Sequence, residues 1–386
     1  MAQADYGRRL AETRARMAHE GLDGLLVASQ YNRRYLTGFT PEDGDITESA
    51  GLALVTAERL FLITGTFSLN GIEHEIVPSG AQPLLTDKTT AGKLLAQAAQ
   101  EQSIRRLGFE KDWISVGRFE RLRGQVGDAV AEWVALDDIV EHVRATKDVA
   151  EVEAIRRAAA VAESAFAQLV AEIRPGMTER QVAQRLEDLM RAGASEPSFD
   201  TIVASGPGGA LPHWVPSDRP IQAGEPLLID FGARVDGYCS DITRTLVLGE
   251  PDAKLREVYA VVRAMQDAGE RALREGAQRG RDVDQAARAV AEQAGYGEQY
   301  LHSLGHGVGM AVHELPALAW PRVQDPQIDA ELAKVEGIEP GQIVTIEPGI
   351  YIAGWGGVRL EDLALVTPDG LELLVSRNPE QILQVG

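Results

Sequence analysis

Residues 226–246 read Pro-Leu-Leu-Ile-Asp-Phe-Gly-Ala-Arg-Val-Asp-Gly-Tyr-Cys-Ser-Asp-Ile-Thr-Arg-Thr-Leu. Two runs of strand-forming residues flank Asp236-Gly237, a dipeptide that favours the tight hairpin turn. With those two residues in the turn, Asp230 stands opposite Thr243, and Asp241 falls two residues away on the same face. The carboxylates are then diagonal neighbours that repel, while Ile229, Phe231 and Ile242 predict a core around them rather than water. A cation is the remedy this pattern calls for.

Two further segments supply groups of the same kind. The window His302-Ser-Leu-Gly-His306-Gly-Val-Gly-Met-Ala-Val-His313-Glu314 holds three of the seven histidines, among glycines that let the backbone approach a ligand closely. Thr345-Ile-Glu347-Pro-Gly-Ile-Tyr351 and Gly357-Val-Arg359-Leu-Glu361-Asp-Leu-Ala-Leu-Val366 each set a glutamate in an apolar strand pattern, where an unpaired carboxylate costs several kcal/mol. Asp230, Asp241, Glu347 and Glu361 carry four negative charges that two divalent cations would balance, with His306 completing an oxygen-rich set. Carboxylates with one imidazole suit manganese, cobalt or zinc better than a thiolate site does.

Outward from these segments, the chain of 386 residues exceeds one average domain, and two are expected. Its first third alternates helix and strand: a helix over 8–20, strands at 25–28, 50–56, 60–63 and 106–109, and a helix over 91–102. That is an α/β domain. A long helix over 149–173 closes at Pro175-Gly176, and Thr178 with Gln181 forms a capping box for a helix ending near Gly193. Strand hairpins then alternate with helices near 254–275 and 282–294, so the second domain is α+β. The boundary is placed between residues 143 and 144.

Hydrophobic residues at 44% and charged residues at 25% fit a globular composition, and a net charge of −20 disfavours nucleic acid and anionic membranes as partners. Cys239 is the only cysteine, which excludes an intrachain disulfide scaffold. The polar opening residues lack the apolar core of a secretory signal, and no run of ~20 apolar residues spans a bilayer, so cytoplasmic residence is expected.

The order Asp230, Asp241, His306, Glu347, Glu361 resembles the five-ligand signature of the pita-bread metallopeptidases, namely methionine aminopeptidase, aminopeptidase P and prolidase. The phrases GYCSDITRT, HSLGHGVGMAVHE, EPGIY and VRLEDLALVT are similar to the proline-specific branch, and NRRYLTGF at 32–39 extends the likeness to a creatinase-type N-terminal domain. The resemblance implies a creatinase-like domain over 1–143 and a pita-bread catalytic domain over 144–386. It implies two divalent ions per chain, manganese first and cobalt or zinc as alternatives, with Asp241 and Glu361 bridging, Asp230 on one ion, and His306 and Glu347 on the other.

By the same resemblance, metal-activated water attacks the peptide, and Glu347 doubles as general base. His213 and His313 match positions that contact the scissile carbonyl region, and His302 one lining the proline side of the pocket. Arg359, on the strand face of Glu361, is expected to orient carboxylates rather than to ligate. Substrates are short proline-containing peptides, and a homodimer is expected. Aminopeptidase P activity is favoured over prolidase because Ala317 stands where similar prolidases carry an arginine able to clamp a free carboxylate. Arg322 or a neighbouring subunit could supply a substitute. A metal-free binding protein on this fold is the distant alternative, and all five ligands stand against it.

Overall fold

The computed structural model describes residues 4–45, 47–193, 195–321 and 325–385. The chain divides into two compact units that meet in sequence between Arg144 and Ala145. The N-terminal unit is built on strands β1 (Gly24–Val27), β2 (Gly51–Thr56), β3 (Leu60–Thr64), β4 (Gln82–Leu85), β5 (Arg106–Glu110) and β6 (Glu132–Leu136). They form one sheet in the order β4-β3-β2-β1-β5-β6, with β1, β5 and β6 parallel and β2 antiparallel to both its neighbours. Leu26, Leu52, Phe61 and Phe109 of the sheet share a core with Leu95, Leu122 and Val126 from helices Ala91–Glu101 and Val116–Val126. Helix Val116–Val126 and strands β4 and β6 escape a reading by pattern, and β4 and β6 are sheet edges with half-exposed residues and little alternation.

In the second unit the long helix runs Val149–Glu172 and starts at a capping box between Asp148 and Glu151. The Thr178–Gln181 capping box opens helix Glu179–Ala192. Helices Ala253–Arg274 and Gly280–Gln293 follow. Their apolar faces, with Val258, Val262, Met265, Val283 and Ala287, share one core with strand residues Val344, Ile346, Val358 and Ala364. No helix among the described residues is long and apolar enough to cross a membrane.

The remaining strands are β7 (Glu196–Pro197), β8 (Ile202–Ser205), β9 (Pro226–Phe231), β10 (Ala233–Val235), β11 (Tyr238–Cys239), β12 (Ile242–Leu248), β13 (Gly305–Gly307), β14 (Glu314–Leu318), β15 (Ile343–Ile346), β16 (Gly349–Ile352), β17 (Gly356–Arg359), β18 (Asp362–Thr367), β19 (Gly370–Leu373) and β20 (Leu383–Val385). They make sheets ordered β11-β10-β7, β20-β12-β9-β8, β14-β13-β15-β18-β19 and β16-β17.

The hairpin turns at Asp236 and Gly237, whose φ values of 53° and 84° are the left-handed pair that such a turn requires. Asp230 pairs with Thr243, as the register argument expects. The sequence pattern shows no interruption, yet the hairpin passes from one sheet to another at Gly232 and Ser240. A Cβ at Gly232 would lie 2.0 Å from the Ser240 carbonyl oxygen and 2.2 Å from Ser198 Oγ. Only glycine lets the two strands cross there, with Asp230 and Asp241 both next to the crossing on its β9–β12 side. Gly232→Ala is therefore expected to cost about 1–3 kcal/mol through overpacking. Urea unfolding checks it, and an unchanged midpoint would show that the crossing is not tight.

Candidate active site

All nine residues singled out by the sequence line one cavity of about 540 Å³, a size usual for a small-ligand pocket. Asp230 belongs to β9, and Asp241 sits in the break between β11 and β12. His306 lies in β13, at a shift in register against β14. The two glutamates differ from their expected place inside strands. Glu347 occupies the break between β15 and β16, because Pro348 has no N–H to continue the ladder. Glu361 occupies the break between β17 and β18, its own N–H turned to the Thr243 carbonyl at 3.1 Å. These breaks, where the chain changes sheets, aim the side chains into the cavity.

Ligand atoms of Asp241, His306 and Glu361 lie within 4.8 Å of one another. His306 Nε2 is 3.2 Å from Glu347 Oε1 and 3.7 Å from Asp241 Oδ2, while its Nδ1 bonds the Gly307 carbonyl at 3.0 Å. A carbonyl only accepts, so Nδ1 carries a proton and Nε2 is the edge turned to the carboxylates, the edge a metal ligand would present. Asp230 Oδ1 is buried without a hydrogen-bond partner among the described residues. Burial first, then the charge of Glu361, pushes Asp241 well above the usual carboxylate range. Glu361 is raised likewise by burial and by Glu347 and Asp230. Burial acts upward on Glu347 too, but the hydrogen bond and charge of His306 outweigh it and bring the group down to about 2. An orphaned carboxylate oxygen beside crowded carboxylates and a correctly turned imidazole fits a divalent cation.

Arg359 ties the site together. Its guanidinium donates to Asp230 Oδ2, to Tyr351 Oη at 2.9 Å and, through Nε, to Thr243 Oγ1 at 3.1 Å. Thr243 Oγ1 in turn donates to Glu361 Oε2 at 2.7 Å, and Tyr351 Oη meets His302 Nε2 at 2.7 Å. His302 is thus linked through Tyr351 and Arg359 to Asp230. On the other wall, the His306 and His313 rings stand 4.3 Å apart, and burial and the neighbouring His306 lower the His313 pKa. The backbone before His313 is held by Glu314, which accepts from the Ala311 N–H and forms an almost fully buried ion pair with Lys147 at 2.7 Å. Thr243, Lys147, Glu314 and Tyr351 carry roles that pattern reading did not assign. Thr243, Glu314 and Tyr351 had a signal in their places within the GYCSDITRT, HSLGHGVGMAVHE and EPGIY phrases, and Lys147 had none.

Residues 153–368 match the family model for metallopeptidase family M24, and residues 9–146 match that of the creatinase/prolidase N-terminal domain. The chain is 35% identical over 367 residues to a Xaa-Pro dipeptidase of Pyrococcus horikoshii, covering 95% of this chain and 96% of that protein. Among solved structures, a Xaa-Pro dipeptidase from Bacillus anthracis superposes with a TM-score of 0.86 at 34% identity, covering 99% and 100% of the two chains. An X-Pro aminopeptidase from Thermotoga maritima gives 0.81 at 31% identity, covering 96% and 100%. Fold and donor set together define a hydrolytic enzyme that uses divalent metal. The chain belongs to metallopeptidase family M24, with a creatinase-type domain ahead of the catalytic one.

Tyr351→Phe removes the hydroxyl shared by Arg359 and His302 and leaves a buried guanidinium N–H unmet. A loss of about 1–3 kcal/mol is expected in urea unfolding. Unaltered stability would mean that water or a rotated Arg359 replaces the hydroxyl.

Proposed function

We propose that this protein is a dinuclear exopeptidase that hydrolyses the Xaa-Pro bond at the N-terminus of peptides, in the manner of aminopeptidase P. The observation that carries the reading is the convergence of Asp230, Asp241, His306, Glu347 and Glu361 with three further histidines on one cavity. In this reading Asp230, Asp241, His306, Glu347 and Glu361 would together hold two divalent ions. When bound, such ions supply Lewis acidity and lower the pKa of water toward neutrality. Glu347 would accept, at its carboxylate, the proton that the attacking water gives up. His213 and His313 hydrogen-bond the carbonyl oxygen as charge builds there, and His302 borders the proline ring. Arg359 acts through Asp230 and Tyr351 and orients them. Manganese is the first candidate metal, with cobalt or zinc as alternatives. A homodimer and cytoplasmic residence complete the reading.

The choice between a longer peptide and a dipeptide rests on the cations of the pocket. A dipeptide presents the proline carboxylate, which a guanidinium clamps well. Among the described lining residues Arg359 is the one lysine or arginine, and it is committed to Asp230 and Tyr351. Ala317 also lines the pocket and brings no charge. Arg322, the sequence-based substitute, lies outside the described residues. The prolidase reading is favoured by a different observation, the Xaa-Pro dipeptidases among the relatives. Comparing kcat/KM for Ala-Pro-Ala and Ala-Pro under one metal decides between them. A clear preference for the tripeptide is expected, and a preference for Ala-Pro would establish the prolidase reading instead.

His313→Ala separates substrate contact from metal binding. Metal content is expected to stay at the wild-type level while turnover falls on the order of 10²-fold, as when an oxyanion donor is lost. Metal lost in step with activity would make His313 a ligand or a structural residue.

A further inference from the structure

His213 is carried by an irregular segment with two strongly exposed apolar side chains, Leu211 at 57% and Val215 at 76%. Trp214, the residue after His213, packs against a small apolar cluster of Ala204, Leu228 and Tyr351, and the segment has a polar anchor as well. That anchor is Glu179, a carboxylate with no solvent exposure at all. Glu179 Oε1 accepts from Ser205 N at 2.8 Å and Ser205 Oγ at 2.7 Å, at the end of β8. Its Oε2 accepts from Trp214 Nε1 at 2.9 Å, Ser217 N at 3.0 Å and Ser217 Oγ at 2.6 Å. The free N–H groups that begin helix Glu179–Ala192 join in, Glu179 N donating to the Arg219 carbonyl and Arg180 N to that of Ser217. On the other side of His213, Arg359 donates to the Pro212 carbonyl at 3.4 Å.

We propose that Glu179 is a positioning residue for His213: by tying Trp214 and Ser217 to Ser205, its carboxylate fixes where the imidazole meets the substrate. The proposal rests on the reading of His213 as a substrate contact. All five bonds reach it from donors, which suits an ionised carboxylate, since that form accepts on both oxygens and donates from neither. Burial works against that charge, but the hydrogen bonds from Ser217, Ser205 and Trp214 more than offset it, and the pKa of Glu179 lies below the usual value. Glu179→Gln keeps the shape but turns an amide NH₂ toward donors, which leaves part of the cluster unmet and frees the segment. A displacement of about 1 Å at a group that meets the reacting carbonyl is enough to cost up to about 10²-fold in rate.

The test is a double-mutant cycle on the metal-loaded enzyme with Ala-Pro-Ala as substrate, with bound metal and folded fraction measured for each variant. Glu179→Gln is expected to lower kcat about tenfold or more with metal content unchanged. In the His213→Ala background the same substitution is expected to add no further loss, since residues acting as one unit are not additive. Independent, multiplicative losses, or a Glu179→Gln enzyme with the wild-type kcat, would overturn the proposal. If Glu179→Gln fails to fold, Trp214→Phe removes the Nε1 bond alone. Its smaller loss must likewise vanish in the His213→Ala background, and persistence there counts against the proposal. A His213→Ala enzyme with full metal and the wild-type rate would remove the substrate contact and the positioning role together. Wild-type enzyme that is active without metal would instead strike at the function itself.

Discussion

Four carboxylates around one cavity are the constraint on which the rest of the catalytic unit depends. Asp241 is 5% exposed and Glu361 1%, and among the described residues Arg359 is the one arginine or lysine whose side chain hydrogen-bonds a carboxylate of the group. Carboxylates gathered this way repel one another and lose their hydration, a cost that hydrogen bonds alone do not offset. The fold nevertheless concentrates them, by ending strands at Asp241, Glu347 and Glu361 so that each side chain leaves its sheet toward the same space. A cation-binding function explains that expense, and the orphaned Asp230 oxygen and the Nε2 edge of His306 turned to the carboxylates point the same way.

Around this centre the structure adds charged and polar anchors to packing in placing the three further histidines of the cavity. Arg359 and Tyr351 join Asp230 to His302. The buried Lys147–Glu314 pair stands behind His313. Glu179 gathers donors on either side of the segment behind His213. Each histidine therefore has its own buried polar support, which suits a site whose geometry must hold to a fraction of an ångström.

Much of this was readable in the chain. Period-two alternation with an Asp-Gly turn is enough to pair Asp230 with Thr243, and the helices announce themselves by caps such as Thr178 and Gln181. What pattern could not supply is the crossing between sheets at Gly232, since alternation continues through it and the obstacle, Ser198, comes from another segment. Glu347 and Glu361 look like strand residues for a similar reason: a break one or two residues long leaves the apolar pattern on either side intact. Glu179 is hidden more deeply. A glutamate in the first turn of a helix ordinarily reads as a partner of the helix dipole, and its donors belong to segments with no periodic relation to it. Lys147 and Glu314 likewise look like surface charges until the fold buries them.

The central claim, that the cavity is a two-metal hydrolytic centre, is tested most directly by metal analysis of an active preparation before and after chelation. About two equivalents of divalent metal per chain are expected, with hydrolysis of Xaa-Pro peptides and thermal stability lost together on chelation and regained when metal returns. An active preparation holding no metal, or activity that survives its complete removal, would contradict it.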